Sequence, residues 1–98
     1  LLVEQEAERE AERAAVEVAR TAWGFPRTPE GRDQLLREVR EITAGLDQAA
    51  VMIALGALLR RGIDRALSEG RGGQADEEQY ERFFEGWLEQ EESRVGGS

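Results

Sequence analysis

The run AAVMIALGALL, Ala49 to Leu59, holds eleven consecutive residues that are apolar or glycine, and its reading decides the fold. Polar residues do not alternate through it, as a half-buried strand would require, and its alanine, leucine and methionine content favours helix. Three turns with no wet face predict a central helix that other elements must cover on every side. A membrane span needs about twenty apolar residues, whereas Arg60 and Arg61 follow this run at once. Ile63, Ala66 and Leu67 then restore an amphipathic pattern as far as Gly70.

Towards the N-terminus, Gly45 and Asp47 mark a break, with the glycine just past one helix and the aspartate capping the next. Upstream of the break, Leu35, Leu36, Val39, Ile42 and Leu46 share one stripe, and Arg32, Arg37, Glu38, Arg40 and Glu41 fall on a solvated face. Thr28, Pro29 and Glu30 supply an N-cap, a first-turn proline and an early acid for that helix. A first helix runs from about Leu1 to Trp23. Val3, Ala7, Ala11, Ala14, Val18 and Ala22 give it a shallow apolar face, widened by Ala15 and Ala19. Gly24 is expected to end it in the left-handed conformation, with Phe25 folded back and Pro26 unable to continue.

Towards the C-terminus, residues 70–75 read as a flexible connection. Asp76 then caps a last helix with Gln79 at the capping-box position. Tyr80, Phe83, Phe84, Trp87 and Leu88 recur at i, i+3, i+4, i+7 and i+8, the clearest periodicity in the chain. Glu77 and Glu78 suit the positive end of the helix dipole, but Glu91 and Glu92 oppose its negative end, so the last turn is expected to fray. Residues 1–95 read as a single helical domain and 96–98 as a linker or tail; Leu1 as first residue suggests a chain cut from a longer one.

The predicted architecture is an all-α bundle of three long helices, four with the break at Gly45, with antiparallel neighbours where connections are short. Its expected buried set is Val18, Trp23, Leu35, Leu36, Val39, Ile42, Val51, Ile53, Leu55, Leu58, Leu59, Ile63, Leu67, Phe83, Phe84 and Trp87. A homodimer is expected, because three amphipathic helices are too few to enclose one that is apolar all round.

Composition narrows the function. A chain of 98 residues hides only about two-thirds of its unfolded surface, which favours association. Cysteine and histidine are absent, removing thiolate nucleophiles, imidazole acid–base chemistry and the common zinc sites. No secretory apolar region is evident, and a cytoplasmic location is expected. The net charge is −8, with six acids against three bases in residues 1–20 and eight against two in residues 76–98. Such a balance disfavours nucleic acid and anionic membranes as partners. All thirteen basic residues are arginine, and lysine and asparagine are missing. That usage points to a G+C-rich bacterial or phage genome, although selection for arginine leaves the same trace.

Three groups of residues invite a chemical reading. Tyr80, Phe83, Phe84, Trp87 and Leu88 either complete the core or form an anchor that docks into a partner's groove, and they are the candidate partner-binding residues. Glu38, Glu41 and Asp64 would serve a magnesium-dependent all-α hydrolase if the second and third helices faced each other, but arginine stands at position 60 where an acid is needed. Arg60, Arg61 and Arg65 invite a DNA-binding test. Gly62 falls where a helix-turn-helix requires a buried aliphatic residue, and a ribbon-helix-helix would need residues 39–46 as a strand. No catalytic, cofactor-binding or metal-ligating residue is assigned, and no cofactor is expected. The expected function is a protein-interaction domain, an adaptor, assembly subunit or regulator, binding a protein partner, itself, or both. The alternative is an acidic helical inhibitor that occupies a basic nucleic-acid-binding groove on its target.

Overall fold

The computed structural model describes residues 2–69 and 77–96, which form four helices and no strand: α1 (Leu2–Gly24), α2 (Pro29–Ile42), α3 (Gln48–Ser68) and α4 (Glu77–Gly96). The caps that set the first two boundaries follow the sequence. Thr28 Oγ1 accepts from the Gly31 amide at 3.0 Å with Pro29 in the first turn of α2. Asp47 Oδ1 accepts from the Ala49 amide at 3.0 Å to open α3. Gly45, at φ +77°, makes the turn between them in the left-handed region that favours glycine. Gly24 does not take that conformation; it is the last residue of α1, and the chain turns at Phe25, whose amide donates to the Ala22 carbonyl at 3.4 Å, and at Pro26. The capping role of Asp76 and the connection at 70–75 lie outside the described residues. α4 runs on through Gly96, the first of the three residues read as a tail.

The centre of the bundle is α1, and not the apolar run of α3. Ala11, Ala14, Ala15, Val16, Val18 and Ala19 are all buried, while α2, α3 and α4 each pack against α1. Among the described residues the backbone of α2 approaches neither α3 nor α4, and α3 meets α4 over a short stretch. Small side chains explain the order: alanine lets helix axes close in, so three neighbours fit around α1 where a leucine-rich helix would hold them apart. Two apolar clusters result. On one side Ala11, Ala14 and Val51 pack with Ile42, Leu46, Ala50 and Ala54. On the other, Val16, Ala19, Leu58, Trp87 and Leu88 pack with Leu55, Phe83, Phe84 and Val95. The sequence stripe missed Val16, and Ala7 and Ala22 are exposed.

α3 is consequently covered on one side. Val51 and Leu58 are buried, but Met52 is 71% exposed, Ile53 74%, Leu59 48%, Ile63 59% and Leu67 65%. Ile53, Leu59, Ile63 and Leu67 therefore leave the expected core, as do Leu36 and Trp23, while Leu35, Val39 and Ile42 are half-buried. The shortest dimension of the molecule, 21 Å, shows why. Helices are about 10–12 Å across with their side chains, and so thin a molecule leaves the outer helices one side without a neighbour.

Gly31 holds the corner between α1 and α2. A Cβ on this buried residue would lie 2.3 Å from the Pro26 carbonyl oxygen, which is backbone and cannot step aside. Gly31→Ala is expected to destabilise the fold by about 2 kcal/mol, on the order of 10 °C in Tm, read by thermal unfolding; an unchanged Tm would show that the corner is not closed in this way.

Candidate functional site

Where α3, α4 and the end of α1 diverge, they leave an open groove of about 890 Å³ lined chiefly by Trp23, Leu59, Ile63, Ala66, Tyr80, Phe83, Phe84 and Trp87, with Arg27 and Glu81 among its walls. Its aromatic wall is ordered from within. Trp23 and Phe84 stack with ring centroids 4.0 Å apart and 13° between planes, and the Trp87 ring meets Phe84 edge-on at 5.2 Å and 71°. Gly62 admits the Trp87 indole to α3: a Cβ there would lie 2.7 Å from the ring. The glycine that excluded a helix-turn-helix in the sequence thus serves helix packing.

The five aromatic-stripe candidates divide by depth. Tyr80 is 38% exposed, Phe83 and Phe84 are half-buried on the groove wall, Trp87 is 5% exposed at its floor, and Leu88, 1% exposed, belongs to the core. The core reading holds for Trp87 and Leu88, while Tyr80, Phe83 and Phe84 keep part of their surface open to the groove. Leu59 and Ile63 line the groove and also belong to the exposed face of α3, so the two surfaces are continuous. Met52, Ile53 and Leu67 extend this surface beyond the groove: 52, 56, 59, 63 and 67 fall on one side of a 3.6-residue helix. Of these, Ile53, Leu59, Ile63 and Leu67 belong to the buried set expected from the sequence. An apolar run too complete for its neighbours to cover is the signal that finds them.

The C-terminal half of α4 does not fray. Glu91 is buried at 6% and accepts from Arg61 through Nε at 2.9 Å and Nη2 at 3.2 Å, and from Arg94 Nε at 2.8 Å. Arg94 Nη1 in turn donates to Glu12 at 3.2 Å, which ties α4 to α1 and α3 together. Arg20 with Glu92, Arg65 with Gln90, and Arg13 Nε to the Val95 carbonyl at 3.1 Å continue the seam. Glu91 follows Trp87 and Leu88 at helical spacing, and an acid on an apolar stripe was the visible sign of a buried carboxylate. Burial pushes the Glu91 pKa up, but hydrogen bonds and charge from Arg61 and Arg94 outweigh it and hold the group below the ordinary carboxylate value. The hydrogen bond to Glu91 likewise raises Arg94, against burial. These acids face the chain's own arginines, which leaves less of α4 to imitate a phosphate backbone.

The three acids considered for magnesium stay apart. Glu38 and Glu41 sit on α2, whose backbone does not approach that of α3, and Asp64 lies 3.9 Å from Arg60. Among the described residues no group of three or more acids could hold a metal ion, and no helix is long and apolar enough to cross a membrane.

A carboxylate with a lowered folded pKa contributes stability that is present above its unfolded pKa and lost as pH falls through the folded value. Glu91 therefore contributes fully at neutral pH, and its share declines from near 4.5 downward. Glu91→Gln should cost about 1–3 kcal/mol at pH 7, below the range for deeply buried pairs because the Arg61 and Arg94 side chains are 42% and 44% exposed. Denaturant titrations at pH 7 and pH 3 should show the variant losing less stability between the two than the parent. Equal losses would mean that Glu91 is not held as described.

No family model matches the chain, and no curated protein or solved structure matches it.

Proposed function

We propose that this chain is a protein-interaction domain, an adaptor, assembly subunit or regulator that acts by binding and not by catalysis. Its recognition surface is the bare side of α3 together with the aromatic groove. The observation that carries the proposal is the continuity of the two through Leu59 and Ile63. Water meets exposed apolar side chains from Met52 and Ile53 along α3 to Tyr80, Phe83 and Phe84 across the groove. Scattered exposed apolar residues need no explanation, but a contiguous strip of several hundred Å² is characteristic of surfaces that bind other proteins.

The groove suits a helix presenting large apolar side chains at i, i+4 and i+7, the mode in which one amphipathic helix lies along a groove made by others. Tyr80, Phe83 and Phe84 form its side wall, Trp87 supports the wall from below, and Leu88 keeps α4 in place without touching the partner. This division refines the aromatic stripe: Trp87 and Leu88 act through packing, while the contact surface gains Met52, Ile53, Leu59, Ile63 and Leu67.

Because Ile53 and Ile63 are largely exposed, replacing both by serine should leave the helical circular-dichroism spectrum intact. The same double variant should weaken association at least tenfold, whether measured as self-association by light scattering or as capture of a partner from the cells that make the protein. Association undiminished by Ile53→Ser with Ile63→Ser would contradict this assignment of the surface.

A further inference from the structure

We infer that the occupant of this surface is a second copy of the chain, packed antiparallel along α3 about a twofold axis passing close to Leu59. The inference rests on the interaction reading above and adds the partner's identity and orientation.

Shape supports it first. The strip has a protruding end and a hollow end on one helix face: Met52 is 71% exposed, and the groove opens beside Ile63 and Ala66. Fourteen residues of helix, about 21 Å, separate Met52 from Ala66. A twofold midway between them sets each copy's Met52 over the other's groove and each Ile53 against the other's Leu67, so protrusion and hollow are satisfied twice by one operation, as an isologous interface requires. Methionine suits the role, being unbranched and able to fill an irregular hollow. Gly56 lies in the middle of the strip, exposed, and a Cβ added there would meet nothing within 4 Å. In the paired arrangement it faces the partner copy near position 63, where its missing side chain makes room for isoleucine.

Area and charge agree with shape. Five large aliphatic side chains exposed by half to three-quarters present roughly 600 Å², the upper end of what a monomer leaves bare, and the groove wall brings this towards the ~800 Å² each partner gives a stable interface. Two copies each carrying −8 repel, but α3 is the one described helix with more bases than acids, three arginines against one aspartate. Contact along α3 therefore brings the copies together where like-charge repulsion is least. Arg60 and Asp64 stand together at one edge of the strip, a rim of mixed sign.

The absence of cysteine from the sequence makes the orientation directly measurable on the full chain. Light scattering across micromolar to millimolar concentrations should show a monomer passing to a dimer. Under mild oxidation Leu59→Cys should cross-link to itself; Met52→Cys and Leu67→Cys should each cross-link poorly alone and efficiently when mixed. Gly56→Leu, at a position with open space around it, should keep the helical spectrum and weaken the dimer at least tenfold. Equal self-cross-linking at 52, 59 and 67 would overturn the antiparallel arrangement, and a monomer at every concentration would overturn the second copy as occupant. In that last case the Ile53→Ser and Ile63→Ser double variant separates the two levels: loss of a captured partner would leave the interaction reading standing, and unaltered capture would remove both.

Discussion

The packing of three helices onto the alanines of α1 is the constraint from which the remaining structure follows. Ala11, Ala14, Ala15 and Ala19, with Val16 and Val18, are buried, and each is short enough to let a neighbouring axis approach. A helix with this face makes a good centre and a poor source of hydrophobic burial, because a methyl group removes little apolar area from water. The larger apolar side chains must come from the helices that pack on it. α3 and α4 supply them through Val51, Leu58, Trp87 and Leu88. Having α1 at the centre obliges α3 to lie outside, and an outer helix that is apolar all round has one side left in water.

The seam along the C-terminal half of α4 sets the shape of that bare surface. Glu91 is clamped between Arg61 and Arg94, and Arg94 reaches Glu12. A buried carboxylate without partners would carry a large desolvation cost, so the pairing fixes which way α4 faces. Together with Gly62, which lets the Trp87 ring approach α3, it fastens one end of α4. Towards the other end, Tyr80, Phe83 and Phe84 form the wall of the groove that Leu59 and Ile63 of α3 also line. Core and recognition surface thus share one helix and grade into each other along its length.

Much of this was legible in the sequence, and the parts that were not share a cause. Helix class and most boundaries follow from local signals: Thr28 with Pro29, Gly45 with Asp47, and the apolar periodicity of each segment act within a few residues of where they are read. Which helix sits at the centre is set by side-chain size between helices, and ranking segments by hydrophobicity put Ala49 to Leu59 inside when the alanine helix takes that place. Ile53, Leu59, Ile63 and Leu67 were misplaced for that reason. The acid on an apolar stripe signals the burial of Glu91, but the partners of Glu91 and Gly62 lie thirty and twenty-five positions away, at Arg61 and Trp87, and no local pattern names them. The bare face itself was foreseeable, since a helix without a polar side in so short a chain has too few neighbours to enclose it.

The proposed role rests on α3 being uncovered in a single copy and covered when the chain associates. Met52, the only methionine and 71% exposed, reports on that directly through its oxidation to the sulfoxide. Timed exposure to peroxide, followed by intact mass, should show Met52 oxidising about as fast as a methionine in an unfolded peptide when the protein is dilute, and at least several-fold more slowly at concentrations where it associates. Slow oxidation of the dilute, folded chain would mean that α3 is enclosed within one copy, and the surface described for recognition would not exist.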